Sequence, residues 1–449
     1  MRKILAAGFV AIALVASPFF AGAAHAQIGV TGTTLISATP SGSLGDSVNG
    51  ISTITPDGRY VAFVSSSDNM LTVPIATDGG PQVYLYDRQA HHMEMISQAL
   101  DGSAGNPDAS TYPALSISNN GRYVVFNSSA TNLAAGQPQP PTAYNSVFLR
   151  DRQTGTTTLI SSGTEDMFAG GQAISGDGNL IVYSNFNSWV SGGDQSGALS
   201  YVYNRTTGVT TQLPDGAVFP RISYDGNYIT YVAHTTVQQT RPGVFAGLFR
   251  YNIATGVAQQ FTPTIANETS GAVLTHDNAN AVYATTNFQT SAVDLVETTI
   301  ATGQTTTLVA NISQNPYLVN EADSVSFSAN DRYMSYRNHT TNNQDFVMDM
   351  QTGQQLLVVN GGNYRVGTVT LTGDGSELAY ESAQIYVAKI QQVKPAAPTG
   401  LTGTTPTNNP ALSWNAVDGA TSYNVYRGGT KVGTATGTTF NDTGATDGT

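Results

Sequence analysis

Asp57-Gly58-Arg59-Tyr60-Val61-Ala62-Phe63 returns as Asn120-Gly121-Arg122-Tyr123-Val124-Val125-Phe126, and this repeated heptad decides the fold. Three further copies keep the Asx-Gly pair and the closing aromatic: Asp177-Gly178 with Tyr183, Asp225-Gly226 with Tyr231, and Asp374-Gly375 with Tyr380. Two copies vary, Asp277-Asn278 with Tyr283 and Asn330-Asp331 with Tyr336. The aromatic follows the Asx by six residues in all seven, and successive aromatics stand 63, 57, 48, 52, 53 and 44 residues apart. Self-similarity at such a period marks a repeat architecture.

Each copy reads as a tight hairpin. A two-residue turn that matches strand twist needs positive φ, which Gly, Asn and Asp tolerate best. The strand after the turn is apolar on both faces, as in Tyr123-Val124-Val125-Phe126, so it lies in a sheet packed on both sides. A second hairpin follows, opened by Val83-Tyr84-Leu85-Tyr86-Asp87-Arg88 in the first repeat and Val147-Phe148-Leu149-Arg150-Asp151-Arg152 in the second. Its turn carries Thr-Gly at 154–155, 207–208, 255–256, 302–303 and 352–353. Two hairpins give four antiparallel strands, the blade of a propeller.

The seventh repeat stops after its third strand, Gln384-Ile385-Tyr386-Val387-Ala388-Lys389-Ile390, and Pro395 follows. The missing strand stands at the other end: Thr31-Gly32-Thr33-Thr34-Leu35-Ile36-Ser37 nearly copies Thr154-Gly155-Thr156-Thr157-Thr158-Leu159-Ile160-Ser161. The expectation is an all-β chain: a seven-bladed β-propeller over 27–391, with the N-terminal strand closing the last blade and covering its edge.

The repeat resembles the TolB-like, WD-repeat-like propeller unit of exported bacterial proteins, over residues 31–391. That resemblance implies the fold and export. It says little of activity, because binding proteins, peptidase accessory domains and some polysaccharide lyases share it. The Tol-system component of that family carries an α/β domain before its propeller; here the propeller follows the leader directly, so a role in that system is not implied.

Residues 392–398 read as a Pro-containing linker. Beyond it, Ala411-Leu412-Ser413-Trp414-Asn415 and Tyr423-Asn424-Val425-Tyr426-Arg427 resemble the second and third strands of a fibronectin type III domain, with its core Trp and Tyr. Lys431–Thr434 and Thr438–Asp442 would be the next two strands. The expectation for 399–449 is a partial immunoglobulin-like sandwich, two strands short of complete. Residues 1–26 read as an export leader: Arg2 and Lys3, an apolar run to Phe20, then Ala24-His25-Ala26. With no Cys in 449 residues, neither disulfides nor a lipid-anchored cysteine is expected.

Chemistry-bearing patterns are sparse. The net charge of −12, without acidic blocks, argues against nucleic-acid binding. No G-x-S-x-G elbow exists, and residues after the propeller are too few for a hydrolase domain. His91, His92, His234, His276 and His339 have no metal-ligand spacing. No catalytic residue, metal or other cofactor is expected. The recurrent Asp and Asn belong to the turns. Arg59, Arg122 and Arg332 after the turns, and Arg88, Arg150 and Arg152 before others, read as exposed strand-edge charges. Trp189 and Tyr144, in long polar connections, are the candidate ligand-stacking residues; Trp189 would otherwise pack under its own loop.

Within each hairpin the turns are minimal and share one rim. Connections between hairpins and between blades share the other rim and are long, above all in the first three blades (65–81, 128–144, 185–198). Long connections gathered on one face point to recognition. Two readings follow. One is an exported binding or scaffold protein, periplasmic, secreted or at the cell surface, whose partner is a protein or polysaccharide and which does not insert in a membrane once the leader is removed. The other is a carbohydrate-active enzyme, a lyase or glycosidase, with its site in the funnel.

Overall fold

The repeated turn is held by a hydroxyl two residues before the Asx. Thr55 Oγ1 donates to Asp57 Oδ1 at 2.6 Å, and that oxygen also accepts the Arg59 N–H at 3.0 Å. The Gly58 N–H returns to the Thr55 carbonyl at 2.8 Å. The same hydroxyl-to-Asx bond recurs at Ser118–Asn120, Ser175–Asp177, Ser223–Asp225, Thr275–Asp277, Ser328–Asn330 and Thr372–Asp374. The turn therefore differs from the expected two-residue form. Thr55 and Tyr60 pair across a loop, 56–59, in which only Gly58 is left-handed, at φ +73°. A right-handed turn followed by one left-handed residue satisfies strand twist with a single positive φ. The variant copies obey it: Asn278 and Asp331 sit at φ 58° and 55°.

The computed structural model describes residues 14–15, 27–46, 49–73, 75, 80–107, 114–137, 145–161, 167–187, 199–214, 216–234, 245–262, 271–287, 290, 292–313, 325–340, 343–360, 369–393, 398–403, 410–417, 423–427 and 430–444. Among them, seven four-stranded antiparallel sheets follow the repeats. The first is Asn49–Ile54, Tyr60–Ser65, Gln82–Asp87 and His92–Met95; the second runs from Leu115–Ile117 to Thr156–Ser161. The others span Met167–Ile174 to Val209–Gln212, Ala217–Ile222 to Val257–Gln260, Val273–Leu274 to Gln304–Ser313, and Ser326–Phe327 to Gln355–Asn360. The last joins Thr370–Leu371, Glu377–Ser382 and Gln384–Val393 to the N-terminal strand Gln27–Leu35.

Second strands form the core; Tyr123–Ser128 is buried along its whole length. The closing aromatic of the motif stacks on the third strand of its own sheet, as in Phe63–Tyr84, Phe126–Phe148, Tyr231–Phe249 and Tyr336–Phe346, with ring centroids 5.3–5.9 Å apart. Such pairs add about 0.5–1.5 kcal/mol beyond area burial. Apolar layers fill the spaces between sheets, and one of them, with Ile54, Val61 and Phe63 against Ala379, Ile385 and Val387, joins the last sheet to the first.

The N-terminal strand takes the outer place in the last sheet, as expected. The Ile36 N–H donates to the Ile385 carbonyl at 2.8 Å. Ser37 Oγ donates to Gln384 Oε1 at 2.7 Å and accepts the Ile385 N–H at 3.0 Å. The first sheet repeats this clamp: Ser97 Oγ donates to Gln82 Oε1 at 2.7 Å and accepts the Val83 N–H at 2.9 Å. Gln384 reaches the Gly45 carbonyl as Gln82 reaches that of Gly105. The hairpins Ser37–Gly45 and Ser97–Gly105 carry equivalent bridges, Ala38 to Leu44 and Gln98 to Ala104. The N-terminus thus supplies both an outer strand and the connection that follows one.

Residues 1–29 and 391–449 form a second unit. Thr402–Gly403, Ala411–Ser413 and Thr439–Asn441 make one three-stranded sheet. In the other, Tyr423–Arg427 lies between Thr430–Ala435 and Leu14–Val15 of the expected leader. Leu412, Trp414, Tyr423 and Val425 are its core, with Trp414 edge-on to Tyr423 at 5.3 Å.

Ser37→Ala leaves Gln384 Oε1 and the Ile385 N–H without this partner, and is expected to cost about 1–3 kcal/mol. Exposed Ser43→Ala should stay within about 0.5 kcal/mol. Denaturant midpoints at unchanged slope measure both; equal effects would deny the seam its role.

Candidate functional site

First strands of neighbouring sheets contact one another along the first four sheets and again through the sixth, the last and the first. On the turn rim their ends are tied by main-chain bonds from sheet to sheet. The Asn119 N–H donates to Gly176 O at 2.9 Å and the Gly176 N–H to Tyr224 O at 3.3 Å. The Ala329 N–H donates to Gly373 O at 2.7 Å and the Gly373 N–H to Pro56 O at 2.8 Å. A side chain does not fit at Gly176, where a Cβ would stand 2.9 Å from Tyr224 O. His276 departs from the pattern; its N–H and Nδ1 both meet the carboxylate of Asp331, the residue in the glycine place of a variant turn.

The arginines on this rim, expected to be exposed strand-edge charges, are instead half-buried and hydrogen-bonded. Arg59 holds Asp87 at 2.8 Å, Arg122 holds Asp151 at 2.7 Å and Arg332 holds Asp349 at 3.2 Å. Each lies over the tyrosine that follows it, at 4.7, 4.8 and 5.2 Å from the ring centre. The Arg59 hydrogen bonds hold the Asp87 carboxyl down at about 2. Arg88 crosses to Glu377 of the last sheet at 2.9 Å, and Arg152 crosses to Glu94 of the first at 2.6 Å. Arg150 bonds the Gly155 carbonyl at 2.8 Å. These partners lie far along the chain, so residue type alone did not reveal them. A cavity of about 560 Å³ lies on the same rim, lined by Thr34, Asp57, Arg59, Tyr86, Arg88 and His91. Its two arginines are committed to Asp87 and Glu377, so the cavity offers no free cation to a ligand.

The opposite, loop rim is different. Connections between second and third strands shrink around the ring: 66–81, 129–145, 188–198 and 235–244 in the first four sheets, then 288–291, 339–343 and residue 383 alone. In sequence, the stretches between second and third strands and from sheet to sheet hold twelve Asp and Glu against two Arg and no Lys. Among their described residues the acidic ones are Asp46, Asp68 and Asp101, all exposed.

Where the connections are short, buried charge lies beneath. Arg337 meets Asp345 at 2.6 and 3.0 Å, and the two are 5 % and 0 % exposed. Burial raises the Asp345 carboxyl above its ordinary value even so. Glu381 is 5 % exposed, and its Oε2 has no hydrogen-bond partner. Burial pushes it up to about 7, with Arg337 opposing and Asp345 reinforcing the shift. His339, its Nδ1 2.7 Å from Asn343 Oδ1, is pushed down to about 4 by burial and stays neutral.

Trp189 and Tyr144 both lie outside the described residues. Three of the histidines have separate partners: His91 meets the Tyr86 hydroxyl, His276 meets Asp331 and His339 meets Asn343. Among the described residues no group of three or more His, Cys, Asp or Glu could hold a metal ion. No helix there is long and apolar enough to cross a membrane.

No protein-family model matches the chain. Among solved structures it is similar to an oligogalacturonate lyase in complex with manganese, with TM-score 0.55 and 12 % identity, covering 82 % of this chain and 97 % of that one. An oligogalacturonate lyase of Vibrio parahaemolyticus gives TM-score 0.54 and 9 % identity, over 81 % and 98 %. TolB of Acinetobacter baumannii gives 0.40 and 12 %, over 78 % and 65 %. The lyase likenesses show the fold, a β-propeller. Curated relatives match short stretches: a poly(3-hydroxybutyrate) depolymerase of Ralstonia pickettii, 54 % identical over 55 residues, and exochitinase 1 of Streptomyces olivaceoviridis, 57 % over 53. An amylopullulanase of Thermoanaerobacterium saccharolyticum is 29 % identical over 113. These matches take 12, 12 and 22 % of this chain and span only 11, 9 and 8 % of those proteins.

A carboxyl raised on folding stabilises the fold while protonated. Its contribution is complete below the unfolded value near 4.5 and fades as pH rises through about 7. Wild-type stability should therefore fall by about 3 kcal/mol between pH 4.5 and pH 8 through Glu381. Glu381→Gln should remove that slope, and a slope unchanged in the variant would show that Glu381 is not its source.

Proposed function

We propose that the chain is an exported binding or scaffold protein without catalytic activity, which receives its partner on the loop rim. One observation carries this reading: connections on that rim range from a single residue to the long stretches 66–81 and 129–145, while the turn rim is uniform and internally bonded. Fold stability favours short connections, so length kept on one side of one rim is best explained by recognition. Export rests on residues 1–26, read as a leader, and the periplasm, the medium or the cell surface all fit.

The C-terminal unit fits a spacer. The two matches of 55 and 53 residues are to enzymes named for a polyester and for chitin, and a stretch common to enzymes of such different substrates would not be the part that selects substrate. Residues 395–449, resembling part of a fibronectin type III domain, have the length of the 55-residue match, and we assign the match to them.

The second reading, a carbohydrate-active enzyme, is favoured by the lyase fold and by those names. The lyase likeness brings manganese into consideration. The described residues offer no donor set for such an ion, so no catalytic step is derived through a metal.

A protein and glycan array with the chain from Gln27 tests both. Binding should be lost when 66–81 is exchanged for a short turn and kept when Gln89→Ala alters the turn-rim cavity. Binding indifferent to the exchange would overturn the first reading. Release of unsaturated sugar from polygalacturonate would establish the second.

A further inference from the structure

We propose that the loop rim around the first sheet docks a cationic protein segment carrying aliphatic side chains. The proposal rests on the loop rim being the working face and names the class of its partner.

Three connections meet there. The hairpin Ser37–Gly45 enters the first sheet, 66–81 joins its second and third strands, and Ser97–Gly105 leaves it. They touch: a Cβ on Gly45 would lie 2.8 Å from Ser67 Oγ and 3.2 Å from Met70 Sδ. A Cβ on Gly80 would lie 3.0 Å from Pro107 O. Asn106 and Asn132 lock the third segment to the second sheet, with the Asn106 N–H on Asn132 Oδ1 at 3.2 Å and the Thr131 N–H on Asn106 Oδ1 at 2.8 Å. The platform is therefore fixed by side chains that face inward.

What it presents outward is of two kinds. Leu44, Val73 and Leu100 are 58, 76 and 66 % exposed, one from each connection, and are among the most exposed large apolar side chains described. The same three connections carry the exposed carboxylates Asp46, Asp68 and Asp101. Across 36–48, 66–81 and 96–114 the sequence holds five Asp and no Lys, Arg or His. Aliphatic groups within a frame of one sign fit a ligand of the opposite sign with apolar side chains of its own. A polyanion such as a uronic-acid polymer meets repulsion on the same surface, and a neutral glycan gains nothing from the carboxylates.

The test uses the full chain and a labelled peptide of alternating Lys and Leu. Two controls replace Leu by Ser or Lys by Glu. The Lys-Leu peptide should bind, less well with added salt; the Lys-Ser peptide should bind about tenfold more weakly and the Glu-Leu peptide not at all. Asp46→Asn, Asp68→Asn and Asp101→Asn together should weaken binding by about tenfold. Leu44→Ser with Leu100→Ser should weaken it by about fivefold, with Tm unchanged because these positions are exposed. No binding, or binding untouched by both sets, overturns the proposal. A neutral oligosaccharide whose binding is lost on exchanging 66–81 but survives the three Asn substitutions would overturn the cationic partner and leave the rim as the working face. A ligand indifferent to both changes would overturn rim and partner together.

Discussion

A ring of sheets exists only if its two ends are joined, because an open ring leaves a strand edge and an apolar face in water. Here the joint is made on one sheet by residues 347 positions apart: Ser37 Oγ bridges Gln384 and the Ile385 N–H, while Ile385 O accepts the N-terminal strand. Each other sheet is a local meander with its four strands close in sequence. The last alone depends on a non-local pairing, whose loop-closure entropy must be met before its contacts reward it. The apolar layer of Phe63, Ala379 and Ile385 is completed by that joint. Glu381 faces the same way as Ala379, at the pair Glu381–Ile385, so a charge that titrates near neutrality lies in the joint itself.

Closure also divides the molecule in two. In an antiparallel meander the first and third links fall on one rim, and the second link and the passage to the next sheet fall on the other. The first links became uniform, with a hydroxyl, an Asx and a left-handed residue at each, and in three sheets an arginine clasps the third strand over a tyrosine. Where glycine is replaced, the new side chain is used. Asn278 reaches back to Asp225 and Asp331 to His276. The second set carries unequal lengths. Fold is maintained on one rim, and the other is left able to vary.

The fold was legible because its signals are local. Asx-Gly sets the turn, the aromatic six residues on marks the buried strand, and the copy of 154–161 at 31–37 gives away the closing strand. A further signal went unread: Ser37-x-x-x-x-Gly42-Ser43-x-Gly45 repeats as Ser97-x-x-x-x-Gly102-Ser103-x-Gly105, and marks the connection as well as the strand. The site was much less legible. The arginines read as free charges because their carboxylates lie about thirty residues away or in another sheet, as Asp87 does for Arg59 and Glu377 for Arg88. Glu381 is one more carboxylate in the sequence; burial with its Oε2 unbonded makes it unusual.

The sequence by itself determined the repeat, its turn chemistry, the number of repeats and which ends must meet, since each follows from the conformational preferences of a few adjacent residues. Tertiary structure alone decided which charges pair. Arg59, Arg122 and Arg332 meet carboxylates on the third strand of their own sheets, and ring closure brings Arg88 to Glu377. Folding also left Asp46, Asp68 and Asp101 exposed on the same connections that expose Leu44, Val73 and Leu100.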